Sequence, residues 1–164
     1  MKIGVISDTH GYLDPSIYKY FDSCDEIWHA GDIGNVEVAN ELERYKPLRA
    51  VYGNVDGGEL RERYPEDLQF TCDNLKILIS HIGGKPSYYN KRIRNLITSS
   101  KPDIFICGHS HILRVIYDKI NGLLYLNPGA LGRQGFHKVR TALRFDIIEG
   151  KAKNMEVIEL GKRA

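Results

Sequence analysis

The sequence has little sulfur, little net charge and no long apolar run. Its three cysteines, Cys24, Cys72 and Cys107, are odd in number and far apart. No Cys-x-x-Cys pair exists, which argues against a disulfide framework or a thiolate zinc site and leaves buried free thiols. The formal net charge is +2 over 164 residues. That gives no argument for an anionic membrane or for specific nucleic-acid binding. No stretch is long and apolar enough to span a bilayer. The first residues offer one lysine and a short apolar run that stops at Asp8, without the anatomy of a signal peptide. A reduced, cytoplasmic protein is expected. Repeats, low-complexity segments and linkers are absent. Hydrophobic residues make up 42% and charged residues 27%, the balance of an ordinary globular chain. Residues 1–164 are expected to form a single domain with a sizeable core.

What the chain does have is a series of short Ile- and Val-rich runs: KIGVIS (2–7), EIWHAG (26–31), LRAVYG (48–53), LKILIS (75–80) and DIFICG (103–108). They are too short for helices and read as strands, several covered on both faces. Helical patterns separate them. PSIYKYFDS (15–23) places Ile17, Tyr20 and Phe21 at helical spacing, with Asp14 as N-cap. NVEVANELERYK (35–46) follows an asparagine cap, and YNKRIRNLITSS (89–100) carries Ile93, Leu96 and Ile97. Alternating strands and helices predict an α/β core with parallel strands. Beyond residue 112 the pattern turns antiparallel. One hairpin is predicted around Asn121-Gly122 and another around Glu149-Gly150-Lys151.

The ends of the runs carry the chemistry. They stop at Asp8 and His10, at Asp32, at Asn54 with Asp56 close by, at His81, and at His109 and His111. In open α/β sheets the carboxyl ends of parallel strands share one edge, where ligands bind. A lone Asp-x-His is noise-level. Five strand ends that all finish in metal-competent side chains are not, because a buried rim of polar groups needs partners. Seven donors exceed one coordination sphere. Two metals sharing a carboxylate account for the surplus, with Asp32 as the bridge.

The ordered series DTH, GD, GNVD, SH and GHSH resembles the calcineurin-like metallophosphoesterase superfamily, closest to its small single-domain bacterial and archaeal phosphodiesterases. The likeness spans roughly residues 1 to 135. It implies a four-layer α/β/β/α sandwich of two mixed sheets flanked by helices, with a dinuclear metal centre. By that resemblance Asp8, His10, Asp32 and His111 hold one ion, and Asp32, Asn54, His81 and His109 hold the other. NPGALGR (127–133) resembles the family's later Asn-Pro-Gly-Ser loop, with Ala130 in place of serine.

The chemistry of phosphoester hydrolysis suits these residues. Water between two cations is acidified toward hydroxide, and the cations clamp the phosphoryl oxygens. Mixed imidazole and carboxylate donors favour two divalent transition-metal ions, manganese foremost, or iron, zinc, cobalt or nickel, over Mg²⁺ or Ca²⁺. Catalysis is expected to depend on Asp32, Asn54, His81 and Asp56, the last orienting a ligand histidine. Val55 departs from the family pattern, in which a histidine and presumed general acid often follows the asparagine. Other polar residues receive plainer readings: His29 as a satisfied core histidine, His137 in a solvated basic loop, and Tyr88-Tyr89 at a pocket mouth or helix cap. The expected partner is a small phosphoester, and a homo-oligomer stays open. Two alternatives also remain open: a phosphomonoesterase, and a non-catalytic scaffold like the vacuolar sorting protein 29 family, which resembles this chain in length but lacks part of the histidine set.

Overall fold

A computed structural model describes residues 1–164. The elements follow in the order β1 (Lys2–Ile6), α1 (Ile17–Phe21), β2 (Glu26–His29), α2 (Val36–Tyr45), β3 (Leu48–Ala50), α3 (Gly58–Arg63), β4 (Asp67–Cys72) and β5 (Leu75–Ser80). They continue with α4 (Lys91–Ser100), β6 (Ile104–Ile106), β7 (Arg114–Asp118), β8 (Leu123–Asn127), β9 (Val139–Ile148) and β10 (Lys151–Lys162).

The strands form two five-stranded sheets, ordered β10-β9-β1-β2-β3 and β4-β5-β6-β8-β7. The five apolar runs are therefore divided, three in the first sheet and two in the second. Within each sheet they pair in parallel: β1 with β2, β2 with β3, and β5 with β6. β8 also joins β6 in parallel, and antiparallel hairpins fill three of the four edges, the fourth being β3.

Period-two alternation sorts the side chains into layers. Ile3 and Val5 of β1 face the second sheet, where Ile77, Ile79, Ile104, Ile106 and Leu126 meet them around the buried Trp28. The opposite face of the first sheet offers Ile6 and Ile27 to Ile17 and Phe21 of α1, Val38, Ala39 and Leu42 of α2, and Leu60 of α3. The outer face of the second sheet packs Leu78, Phe105 and Tyr125 on Ile93 and Ile97 of α4. The result is the α/β/β/α sandwich. Each fully buried Ile, Leu or Phe contributes about 1.5–3 kcal/mol of transfer free energy, so the inter-sheet layer fixes how the two sets of strand ends meet.

Asn35 caps α2 as expected, its Oδ1 accepting from Val38 N at 2.9 Å. Asp14 does not cap α1. The helix begins at Ile17 after Ser16, and Asp14 Oδ1 instead accepts from Ser16 N at 2.9 Å in a turn before it. Aspartate readily bonds the backbone two residues on, and Pro15 sits between the two partners.

Candidate metal centre

All seven predicted ligands come together where the strands of both sheets end. The loops that carry them are braided by backbone hydrogen bonds. Asp8 N donates to Gly31 O (2.9 Å), His10 N to Asp32 O (3.0 Å), and Gly108 N to His81 O (3.1 Å). Asp8, His10, Asp32, His109 and His111 all have positive φ, between 47° and 63°. Such conformations are uncommon outside glycine and cost of order 1–2 kcal/mol each. Five of them at one site mark strained turns held by the surrounding packing. Two glycines let the turns approach. A Cβ on Gly53 would lie 2.1 Å from Asp32 Oδ1, and one on Gly108 would lie 1.9 Å from Ser7 Oγ.

Each central carboxylate uses one oxygen for the backbone and turns the other inward. Asp8 Oδ2 accepts from His109 N at 3.1 Å, and Asp32 Oδ1 accepts from Val55 N at 2.9 Å. The inward Asp8 Oδ1 is buried and accepts no hydrogen bond. Nevertheless, Nε2 of His111, His10 and His81 lies 3.2, 3.9 and 4.0 Å from it. The inward Asp32 Oδ2 lies 3.2 Å from His81 Nε2 and 3.8 Å from His10 Nε2. His10 and His111 face each other through Nε2 atoms 3.3 Å apart. Asn54 Oδ1 lies 3.1 Å from His81 Nε2.

These donors fall into two trios, Asp8–His10–His111 and Asp32–His81–His109, with ligating atoms within 4.8 Å of one another in each. The trios share an edge through the Asp32–His10 and Asp8–His81 approaches. A buried carboxylate oxygen without a hydrogen bond, ringed by imidazole nitrogens, is what a cation site looks like before the charge that satisfies it is added. The donor set suits divalent transition metals. His81 Nδ1 donates to Ala30 O at 2.7 Å, which leaves Nε2 a lone pair directed at the cluster. Burial alone would lower the His81 pKa. The Asp32 hydrogen bond and the nearby Asp8 and Asp32 charges outweigh it, so the imidazole is raised. Burial likewise works to raise Asp32, but His81 and Val55 N hold it below the ordinary carboxylate range.

Three sequence readings change in place. Asp56 is buried but hydrogen-bonds no imidazole. Its carboxylate accepts from Ile33 N (3.0 Å), Gly34 N (2.7 Å) and Gly53 N (2.8 Å). It therefore clamps the loop after β2 to the loop after β3, and orients Asp32 and Asn54 through their backbones. His137 is not simply solvated. Its ring packs on His111 with centroids 5.2 Å apart. Tyr89 is buried and donates to Asp118 Oδ2 at 2.9 Å, while Tyr88 is exposed. His29 is the satisfied core histidine expected, with Nδ1 accepting from Gly31 N and Nε2 paired with Thr9 Oγ1. Burial pushes its pKa down to about 4.

Asn127 enters the sequence reading only as the first residue of NPGALGR, without a role of its own. Its Nδ2 donates to Gly108 O (2.9 Å) and Ser110 Oγ (3.1 Å), bracing the loop that carries His109 and His111. The signal was present, since LLYLN also ends an apolar run in a polar residue.

A family model described as calcineurin-like phosphoesterase superfamily domain matches residues 1–150. A phosphodiesterase of Methanocaldococcus jannaschii is 29% identical over 146 residues, covering 79% of this chain and 83% of its own. The solved structure of an archaeal phosphodiesterase superposes with a TM-score of 0.75 at 26% identity, covering 98% of this chain and 100% of its own. Vps29 of Chaetomium thermophilum shares the fold, with a TM-score of 0.74 at 16% identity, covering 99% of this chain and 97% of its own.

Proposed function

The chain belongs to the calcineurin-like phosphoesterase superfamily, and on that premise we propose that it is a phosphodiesterase. We read residues 1–164 as one catalytic domain. Asp8, His10, Asp32 and His111 would hold one divalent ion, and Asp32, Asn54, His81 and His109 a second. The observation that carries this reading is Asp8 Oδ1, buried, without a hydrogen bond, and ringed by three imidazole nitrogens. The phosphodiesterases among its relatives support the reaction class. The mixed nitrogen and oxygen donors support Mn²⁺ first, with Fe, Zn²⁺, Co²⁺ or Ni²⁺ as the other fits. Three buried, unpaired thiols support a reducing cytoplasm.

When bound, such ions neutralise phosphoryl charge and lower the pKa of water. The chain's own residues do the rest. Val55 N and His109 N fix the carboxylates so that one oxygen of each faces the reacting group. Ala30 O fixes the His81 tautomer. Asp56 holds the Asp32 and Asn54 loops in register. Position 55 supplies no proton, so the leaving group departs without acid help from there. Such help is ordinarily worth 10²- to 10⁴-fold.

The test is hydrolysis of bis-p-nitrophenyl phosphate against p-nitrophenyl phosphate, with metal content measured on the same preparation. The reading expects two ions per chain and preference for the diester. Two bound ions without hydrolysis of either ester would point to the scaffold alternative. A preference for the monoester would point to a phosphomonoesterase.

A further inference from the structure

Three cavities meet at the strand-end cluster; one, of about 450 Å³, is lined by His109, His111, Phe136 and His137, and the other two flank His81 and His109. Of these two, the first, of about 300 Å³, is lined by Tyr52, Asn54, Arg61, Glu66, His81 and Arg92. The second, also of about 300 Å³, is lined by Lys85, His109, Ser110, Ile112, Arg114 and Tyr125. Ile82 lines both and stands between them. One cavity takes in His81 and the other His109, two imidazoles of the same trio, with ring centroids 5.3 Å apart. The largest of the three cavities shares His109, Ser110 and Ile112 with the second and extends it toward His111, so the centre opens on a His81 side and a His109 side.

The two sides differ in character. The second cavity is mainly apolar, with Lys85 and Arg114 in its lining. The first carries two guanidiniums, of which Arg92 is already paired with Asp67 and Glu66 and donates to Ser80 Oγ at 3.2 Å. Arg61 has no carboxylate partner. Its Nε is anchored on Asp56 O at 2.5 Å, and its guanidinium lies 4.6 Å from the Tyr52 ring centroid. That anchor ties it to the same residue that clamps the ligand loops. A guanidinium held over an aromatic ring offers its other face to a further planar group.

A monoester has one substituent on phosphorus and a diester has two. Each of these two cavities is at the small end for ligand sites, enough for one nucleoside-sized substituent. Resting on the phosphodiesterase reading above, we propose that the substrate is a small phosphodiester with two arms. A planar aromatic arm, such as a nucleobase with its sugar, lies against Arg61 and Tyr52 in the first cavity. The other arm occupies the second. Glu66 stands in the first cavity as an acceptor for a sugar hydroxyl or base amino group.

Two esters with the same leaving group isolate the first cavity: thymidine 5′-p-nitrophenyl phosphate and methyl p-nitrophenyl phosphate. The Mn²⁺-loaded wild type should favour the thymidine ester in kcat/KM by at least about 10-fold, in line with losses seen when base-stacking side chains are removed. Arg61→Ala and Tyr52→Ala should each cut that ratio about 10-fold, and Tyr52→Phe should keep it. Any disturbance of the Asp56 clamp affects both esters and divides out of the ratio. Calorimetry gives a readout that needs no turnover. The ratio of Kd values for methyl phosphate and thymidine 5′-phosphate should fall by the same factor in Arg61→Ala. A wild type that does not discriminate the esters, or an Arg61→Ala ratio within twofold of wild type, overturns the arm site. If the wild type hydrolyses neither ester, the phosphodiesterase reading fails by itself, and the calorimetric ratio decides the arm site alone.

Discussion

Val55 N donates to Asp32 Oδ1 at 2.9 Å while the Val55 side chain points outward, half exposed. The main chain at this position sets the carboxylate that faces both trios, and the side chain takes no part. The same division of labour recurs at Asp8, held by His109 N. Asp32 is therefore the residue whose charge reaches furthest. Asp32→Asn should lower diester hydrolysis by at least about 10²-fold, the scale of losing a preorganised electrostatic group, and should reduce bound metal below two ions per chain. His81→Ala should cost a similar order but less than Asp32→Asn. Wild-type rates in His81→Ala would remove it from the site.

Asp56 gives a prediction about stability. Its buried carboxylate satisfies three backbone N–H groups from two loops. Removing a charged acceptor leaves those donors without partners, at about 1–3 kcal/mol for each buried group, not additively. Asp56→Ala should lower unfolding free energy by about 3 kcal/mol in urea titration of the metal-free protein. A change within 0.5 kcal/mol, about the range of ordinary surface substitutions, would show that the loops hold their register without it.

The strand ends were legible because periodicity and composition are local signals. Five apolar runs ended in metal-competent residues, and the structure brings Asp8, His10, Asp32, Asn54, His81, His109 and His111 together. Their division between two sheets was not readable from the runs themselves, because pairing partners are set by tertiary packing. β4 and α3 lie outside those five runs. GELRER has a single buried residue, Leu60, so its pattern has no period to detect. DLQFTC does alternate, with Leu68, Phe70 and Cys72 facing the inter-sheet layer, so its strand pattern is legible in the sequence. The role of Asp56 and the packing of His137 on His111 depend on where loops return in space, which residue spacing does not encode. His29, bonded to Gly31 N and Thr9 Oγ1 beside Asp32, Asp8 and His10, braces the ligand loops, so neither it nor His137 is a clean control for mutagenesis of the site.

Arg140 ties the ends of the chain together, and it sets an acid dependence. Its guanidinium pairs with Asp14 and donates to Lys162 O at 3.0 Å and Leu160 O at 2.6 Å. Burial works to raise the Asp14 pKa, but hydrogen bonds from Ser16 and Arg140 outweigh it, and the carboxyl is held below its usual 3.8. The folded state then resists a proton that the unfolded state accepts. This contribution to stability is complete above the ordinary carboxylate pKa and is lost as pH falls through the lowered one. Asp14→Asn should cost about 2 kcal/mol at pH 7, the scale of hydrogen bonds to a charged group. The gap between wild type and variant should narrow below about pH 4. Urea midpoints at pH 7, 5 and 3 check this, and a gap that widens with acid would reverse the sign.

The outward side chain at position 55 makes the leaving group the last point of leverage. With no imidazole there, hydrolysis should depend steeply on the acidity of the departing alcohol, since an aryloxide leaves unaided more readily than an alkoxide. Val55→His restores a group able to donate a proton without disturbing the main-chain bond to Asp32, because that bond comes from the backbone N. The variant should flatten the dependence and help poor leaving groups most, by up to about 10²-fold, the low end of general-acid assistance. The measurement is a series of aryl phosphodiesters of graded leaving-group pKa on wild type and Val55→His at saturating Mn²⁺. A steep wild-type slope and a shallow variant slope support the argument. A wild-type slope near zero, with chemistry shown to limit the rate, would mean that another group already donates the proton. His137, packed on His111 with its Nδ1 buried and unpartnered, would then be the residue to replace.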